Sequence, residues 1–101
     1  MLSQLNDADF NASTAKKLIV MFTSPWCSGC KKVEPFMEAF SSVYPDIMFS
    51  KLDIISNPLT PSNLGIMSLP TIVAFSAGAE FERITGEPTK HELERLIKDM
   101  A

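Results

Sequence analysis

The chain has 101 residues, of which 46% are hydrophobic and 21% charged, and its formal net charge is −3 at pH 7. This length and composition are typical of one globular domain with its own core, so residues 1–101 are predicted to form a single domain. The net negative charge argues against binding to nucleic acid or anionic lipid, and the longest apolar run, Leu18 to Phe22, is too short to span a membrane.

The opening segment, MLSQLNDADFNASTAKK, lacks the basic start, apolar stretch and cleavage site of a signal peptide. If Met1 is the natural start, we expect a cytoplasmic protein. Thiols in the cytosol are normally kept reduced, so a close pair of cysteines is there more often catalytic or metal-binding than structural.

The first half of the chain predicts a short helix, a buried strand and a long helix. Residues 6–16 are predicted to form the short helix, with Asn6 or Asp7 as its cap. Residues 17–23, KLIVMFT, are continuously apolar between polar neighbours, which is typical of a strand buried on both faces. Residues 27–44 predict a helix that Pro35 kinks and that buries one apolar stripe. The stripe comprises Val33, Phe36, Met37, Phe40 and Val43.

The second half predicts a strand at residues 47–53 and a short helix with Thr60 as its cap and Pro61 at its first position. Residues 71–76 and 80–85 read as two strands joined by a turn around Ala77-Gly78. The last helix begins with a capping box, Thr89 to Glu92. Its core stripe comprises Leu93, Leu96, Ile97 and Met100.

Strands separated by helices imply parallel pairing through right-handed crossovers, and the final hairpin adds an antiparallel edge. The predicted fold class is therefore α/β, with a central mixed sheet of four to five strands flanked by helices on both faces.

The stretch SPWCSGCKK contains the only two cysteines, Cys27 and Cys30, and the only tryptophan. Structural zinc within one chain is disfavoured, because it needs about four ligands and the chain adds a single histidine, His91. Zinc or an iron–sulfur cluster shared by two chains remains an alternative. A purely structural disulfide is also disfavoured, since closing so small a loop removes little entropy from the unfolded chain.

A redox role explains where the cysteines are placed. The pair follows a predicted buried strand and opens a predicted helix, so Cys27 lies at a helix N-terminus, where unpaired N–H groups and the helix dipole stabilise a thiolate. Cys30 lies one turn further on and points more toward the interior. Cys27 would then attack a substrate disulfide, and Cys30 would resolve the mixed disulfide.

The chain resembles the thioredoxin family over nearly its whole length. The matching stretches are WCSGCK, where the family has W-C-G-P-C-K, Pro35 after the second cysteine, KLDI, NPLTPSNLGI and SLPT. The resemblance implies a thioredoxin fold, with Cys27 as the nucleophile and Cys30 as the resolving thiol. It also implies that Pro70 is a cis-proline facing the disulfide and that Leu69 offers backbone groups to an extended substrate peptide.

The resemblance further implies that Lys51 lies beneath the active site and that four residues border a shallow substrate groove: Trp26, Ile54, Ser68 and Gly86. Taken without the resemblance, Pro70 would be an ordinary strand-entry proline, Trp26 a partly buried aromatic and Lys51 a solvated edge charge. His91 is expected to be solvated. Core positions are expected for five methionines, namely Met21, Met37, Met48, Met67 and Met100.

Two departures from the family pattern concern redox tuning. Ser28 and Gly29 replace Gly-Pro between the cysteines, which adds a hydroxyl and a backbone donor and favours the reduced, thiolate-bearing form. Met21 occupies the position where thioredoxins carry a buried aspartate, considered the proton acceptor for the second cysteine. Lys51 then lacks its usual partner, and Asp53, on the same strand face, is the candidate substitute.

The sequence predicts a thiol–disulfide oxidoreductase that reduces protein disulfides through Cys27 and Cys30, without a metal or organic cofactor. The expected partners are disulfide-containing proteins and a thioredoxin reductase-type electron donor, and we expect a monomer. Two alternatives remain: a disulfide oxidase or isomerase of the same fold, and a binding subunit with incidental redox activity. The intact cysteine pair weighs against the second of these.

Overall fold

Nine regular elements follow one another in the computed structural model, which describes residues 2–101. They are β1 (Ser3–Leu5), α1 (Phe10–Ser13), β2 (Leu18–Thr23), α2 (Ser28–Val43), β3 (Met48–Asp53), α3 (Leu59–Leu64), β4 (Thr71–Ser76), β5 (Ala79–Thr85) and α4 (Lys90–Met100).

The strands form one mixed sheet in the order β1-β3-β2-β4-β5. Strands β1 and β2 both run parallel to β3, β4 runs antiparallel to β2, and β5 closes the sheet as an antiparallel edge. Strand β2 lies at the centre, and its residues 18–22 are fully buried, as its apolar sequence requires. Its C-terminal end is where the cysteine pair follows.

Helices cover both faces of the sheet, which confirms the predicted fold class. Helices α2 and α4 pack on one face, where the core cluster includes Met21, Cys30 and Leu96. The opposite face carries α1 and α3, with Phe10 packed edge-on against Phe75 at a ring distance of 5.3 Å. No helix within residues 2–101 has both the length and the apolar character needed to span a membrane.

The helix predicted in the N-terminal segment is much shorter than expected. In place of a helix over residues 6–16, the structure has the four-residue α1, and strand β1 precedes it. Strand β1 was not predicted because it has only three residues. Its pairing with β3 and the burial of Leu2 and Leu5 hold it in place. Asn6 instead stabilises a turn, its side-chain oxygen accepting a hydrogen bond from the Asp9 N–H at 2.9 Å.

Helix α3 begins at Leu59, before the predicted cap. The N–H groups of Leu59 and Thr60 donate to the carboxylate of Asp7, at 3.1 Å and 2.9 Å. Asp7 therefore satisfies unpaired donors at the start of this helix from a distant part of the chain. Thr60 and Pro61 lie inside the helix and are buried.

The predicted cores of the two long helices are mostly confirmed. The stripe of α4 is buried, and its capping box forms with Thr89 and Glu92 each bonded to the other's backbone. In α2, which contains Pro35, the predicted stripe fails at its last residue: Val43 is 65% exposed because α2 ends there.

Two of the five methionines are also not core residues. Met48, at the first position of β3, is 36% exposed. Met67, in the loop before β4, is 92% exposed.

Candidate active site

Cys27 and Cys30 form a disulfide at the junction of β2 and α2, with their Cα atoms 5.3 Å apart. Cys27 is the N-cap residue of α2 and has an extended backbone, and its sulfur accepts a hydrogen bond from the Cys30 N–H at 3.1 Å. The Cys27 N–H donates in turn to Ser24 O at 3.2 Å, which fixes the turn between strand and helix. The helix start thus directs an N–H at the Cys27 sulfur, an arrangement that favours negative charge there.

The two sulfurs differ in environment. Cys27 is partly exposed, whereas Cys30 is only 2% exposed and belongs to the core cluster under α2. The Cys30 sulfur lies 3.7 Å from Phe22 O, at the end of β2. Solvent and substrate therefore reach Cys27 more easily than Cys30.

The Leu69–Pro70 peptide bond is cis, as the resemblance implied. Pro70 lies close to the first turn of α2: a Cβ added at Gly29 would be 3.1 Å from Pro70 Cδ and 3.0 Å from Glu87 Oε2. Gly29 therefore allows this close approach. The Gly86 N–H donates to Pro70 O at 2.9 Å, so Gly86 is tied to the same loop, and its φ of +91° suits glycine.

The surface beside the disulfide is apolar in part. Trp26 is 79% exposed, which rules out a buried aromatic and leaves its indole available for contact. Ile54 and Leu69 are partly buried against the same cluster on the far face of the sheet, and Ser68 is exposed. Met67, which was expected in the core, lies in the same loop after α3 and is exposed.

Glu87, which no sequence motif indicated, also lies beside the first turn of α2. Its carboxylate lies next to Gly29, and its Oε1 is 3.9 Å from Lys32 Nζ. Glu87 immediately follows Gly86, which the family resemblance placed at the substrate groove. This neighbouring position was the only sequence feature that could have indicated a place for Glu87 near the site.

A cavity of about 190 Å³, lined mostly by polar and charged residues, lies between β1, β2, β3 and the start of α2. Its lining comprises Gln4, Thr23, Ser24, Pro25, Cys30, Lys31, Glu34, Lys51 and Asp53. Lys51 was expected near the active site, and it lines this cavity together with Cys30.

Lys51 has a carboxylate partner, but it is not Asp53. Lys51 Nζ lies 3.3 Å from Glu34 Oε2 in α2. Asp53 lines the cavity, yet its Oδ1 accepts the Ile55 N–H at 2.9 Å in the turn after β3. The expected Lys51–Asp53 pairing was therefore wrong. Glu34 was detectable as the residue four positions after Cys30, on the same helix face.

Met21 is fully buried and stands opposite Lys51 in the β2–β3 register. Paired residues of neighbouring strands point to the same face, so both side chains lie on the α2 side of the sheet. Met21 extends the apolar core beside Cys30, where a thioether can neither accept nor donate a proton usefully.

Within residues 2–101, no group of three or more histidine, cysteine, aspartate or glutamate side chains is arranged to hold a metal ion. His91 is exposed near the start of α4. Neither of the cysteines is free, since each is the other's disulfide partner.

The sequence model of the family described as Thioredoxin matches residues 1–99. The chain belongs to the thioredoxin family. It is 33% identical over 99 residues to a thioredoxin of Alicyclobacillus acidocaldarius, covering 95% of this chain and 94% of that one. It is 37% identical over 97 residues to a thioredoxin of Chlamydia muridarum, covering 96% and 93%.

Solved structures agree with this assignment. The crystal structure of oxidised mitochondrial thioredoxin 3 from Saccharomyces cerevisiae superposes with a TM-score of 0.89 at 29% identity, covering 97% of this chain and 94% of that one. Membership of the family and the Cys27–Cys30 disulfide identify the chain as a thiol–disulfide oxidoreductase, a protein-disulfide reductase. Thioredoxins work without a separate cofactor, since the redox-active disulfide is part of the protein.

Proposed function

We propose that Cys27 is the nucleophile and Cys30 the resolving thiol in the reduction of disulfides in proteins. These two roles are assigned from the difference in solvent exposure between the two cysteines at the start of α2. Cys27 is partly exposed, and its sulfur accepts a hydrogen bond from a backbone N–H, whereas Cys30 is only 2% exposed. An accessible thiolate attacks first, and a buried neighbour meets only the mixed disulfide already formed.

The reaction balances as two exchanges. The Cys27 thiolate attacks one sulfur of the substrate disulfide, the substrate S–S bond breaks, and the other substrate sulfur leaves as a thiolate. The Cys30 thiolate then attacks the Cys27 sulfur, which forms the Cys27–Cys30 disulfide and releases the second substrate thiolate. A thioredoxin reductase-type donor supplies the two electrons and two protons that restore the dithiol.

The substrate peptide would lie in the groove around Pro70, with the backbone of Leu69 offering hydrogen bonds to an extended segment. Trp26 would cover one side through its exposed ring, and Ile54, Ser68 and Gly86 would form the remaining border. The 79% exposure of Trp26 supports this role, because a large aromatic side chain left in water is most useful where a partner covers it.

Four residues are proposed to tune the redox properties of the cysteine pair, because they lie close to it. Ser28 and Gly29 lie between the cysteines in the first turn of α2, where their N–H and hydroxyl groups act on the Cys27 thiolate. Lys51 and Asp53 would act on Cys30 from the cavity that they line with it. All of these side chains come from one chain, and we propose that residues 1–101 act as one domain and as a monomer.

The setting that we propose is the cytoplasm, because a pair that must be returned to the dithiol form works best where thiols are kept reduced. Disulfide oxidation or isomerisation is the second candidate activity. Ser28-Gly29 supports it, since added donors near Cys27 stabilise the reduced form and make the disulfide a stronger oxidant.

The decisive experiment follows NADPH consumption with a thioredoxin reductase and insulin as the disulfide substrate. We expect the unmodified protein to support consumption and Cys27→Ser to support none. If the unmodified protein reduces no disulfide but rapidly oxidises a reduced, unfolded protein, the oxidase activity is the correct assignment and the reductase proposal fails.

A further inference from the structure

Cys30 has to lose a proton before it can resolve a mixed disulfide, because the thiolate is the nucleophile. The residue is 2% exposed, and Met21, in the same core cluster, cannot take up the proton. We propose that Glu34 is the general base for Cys30, accepting its proton through water in the cavity that both residues line. The inference rests on the resolving role proposed above for Cys30.

Helix geometry places the two groups together. Glu34 follows Cys30 by four residues in α2, so the side chains lie on one helix face, a turn apart. The cavity measures about 190 Å³, and a water molecule occupies about 30 Å³ in the liquid, so several waters fit. One water is enough to connect a general base with the proton that it removes.

The ion pair with Lys51 holds Glu34 in this position. Lys51 Nζ lies 3.3 Å from Glu34 Oε2, and both side chains are about one-third exposed. An ionised carboxylate has about four lone-pair positions, so one bond to Lys51 leaves capacity for a cavity water. Lys51 thus positions the base and is not itself the proton acceptor, since an ammonium has no acceptor site.

The other charged groups of the cavity come from α2 and β3. Lys31, on α2, is exposed, and Asp53, on β3, is the competing carboxylate. The bond from the Ile55 N–H to Asp53 Oδ1 at 2.9 Å turns that carboxylate toward the loop after β3. Glu34, in contrast, shares one helix with Cys30, which fixes their separation. Strand β1 contributes only the uncharged Gln4.

The step is a proton transfer followed by an exchange. The proton of the Cys30 thiol passes through water to the Glu34 carboxylate. The resulting thiolate attacks the Cys27 sulfur, the bond between Cys27 and the substrate sulfur breaks, and its electron pair leaves with the substrate thiolate. Glu34 then returns its proton to water or to the departing thiolate, so no further oxidant or reductant is needed.

The test is stopped-flow reaction of the reduced protein with excess dithiobis-nitrobenzoate, whose coloured aromatic thiolate leaves without needing a proton. The first equivalent of thiolate reports attack by Cys27 at a rate proportional to reagent concentration. The second equivalent reports resolution by Cys30 at a rate independent of that concentration. The two cysteines are therefore measured separately in one experiment.

We expect Glu34→Gln to slow the second phase at neutral pH by at least about tenfold, at the low end of what a general base contributes, and to leave the first phase within about twofold. Glu34→Asp should recover part of the loss. The rate difference between Glu34→Gln and the unmodified protein should shrink as the pH rises, because hydroxide then replaces the carboxylate as the base.

Glu38→Gln is the comparison on the same helix, because Glu38 lies one further turn along α2 and accepts the Leu2 N–H instead of lining the cavity. The hydrogen bond from the Leu2 N–H lowers the pKa of Glu38, and the charge of Lys51 contributes to lowering it as well. Glu38→Gln should therefore slow the second phase less than Glu34→Gln does and leave the first phase unchanged. The inference is overturned if Glu34→Gln leaves the second phase unchanged, slows both phases equally, or has no greater effect than Glu38→Gln or Asp53→Asn. Absence of both phases in the unmodified protein would overturn the proposed function, and this inference with it.

Discussion

Lys51 and Glu34 form an ion pair at 3.3 Å that joins β3 to α2 beside the buried Cys30. In the family pattern the carboxylate near the second cysteine comes from the central strand, but here that strand position is Met21, which is fully buried. The carboxylate that pairs with Lys51 therefore comes from the helix that carries the cysteines and not from the central strand.

The first prediction concerns the reduction potential of the Cys27–Cys30 couple. Ser28 and Gly29 add donors near Cys27, so we expect a value of about −250 to −200 mV, above the thioredoxin reference of about −270 mV. Replacing both residues, Ser28→Gly with Gly29→Pro, should lower the potential by tens of millivolts. Equilibration with glutathione buffers of known ratio gives the measurement.

Met21→Asp is the comparison variant for that measurement. A carboxylate beside Cys30 disfavours a second negative charge there and should alter rates more than the potential. We therefore expect the Ser28-Gly29 dipeptide to affect the reduction potential more than residue 21 does. A larger shift in potential from Met21→Asp than from the double change would contradict this expectation. The double variant also needs a thermal unfolding control, because a Cβ at residue 29 meets Pro70 Cδ at 3.1 Å.

The second prediction concerns Trp26. Because the residue is 79% exposed, Trp26→Ala should change the free energy of unfolding by no more than about 0.5 kcal/mol. The same change should raise KM for a protein disulfide and leave the reaction with a small aromatic disulfide nearly unchanged. Phe81→Ala, which removes another exposed aromatic side chain from β5, should leave KM unaltered. Equal losses in the two variants would contradict a contact role for Trp26.

The third prediction concerns Asp7 and pH. Burial tends to raise the pKa of Asp7, but hydrogen bonds from Thr60 and Leu59 outweigh it and lower the pKa. A lowered folded-state pKa means that Asp7 stabilises the fold above the unfolded-state value, about 3.9, and that this contribution is lost as the pH falls through the lower folded-state value.

Asp7→Ala should therefore reduce Tm at pH 7, and the difference from the unmodified protein should narrow below about pH 4. Asp9→Ala is the matched control, since the Asp9 side chain makes no capping bond at the start of α1. Thermal unfolding followed by circular dichroism at several pH values checks both variants. A Tm difference for Asp7→Ala that is the same at pH 7 and pH 3 would contradict the role of its charge.

The fourth prediction concerns metal. A monomer with two cysteines lacks the four ligands of a closed zinc site, so the purified, reduced protein should contain no stoichiometric zinc or iron. Elemental analysis after gel filtration provides the measurement. About half an equivalent per chain, lost when either cysteine is mutated, would instead establish a site shared by two chains.

The parts of the fold that could be predicted are those with strong local signals. The apolar run of β2 and the capping box at Thr89 each specify their structure within a few residues. Strand β1 could not be predicted, since three residues carry no periodicity and their conformation depends on pairing with β3. The start of α3 depends likewise on Asp7, more than 50 residues away in the chain.

In the site, too, the residues with a clear sequence signal were predictable and those positioned by tertiary packing were not. The cysteine pair was predictable because motif and spacing identify it, and the cis-proline because the resemblance to the thioredoxin family implies it. The partner of Lys51 was not, because strand periodicity favoured Asp53, and only the packing of α2 on the sheet brings Glu34 within reach. The exposure of Met67 and the position of Glu87 beside Gly29 could not be predicted for a related reason: both residues lie in loops, whose course local propensity does not determine.

The most direct test of the proposed roles is mass spectrometry of single-cysteine variants after reaction with a disulfide-containing protein. If Cys27 alone attacks, Cys30→Ser should accumulate a mixed disulfide whose mass is the sum of the two reaction partners, and Cys27→Ser should form none. Failure of Cys30→Ser to form any adduct, or a stable adduct on Cys27→Ser alone, would contradict the assignment of nucleophile and resolving thiol.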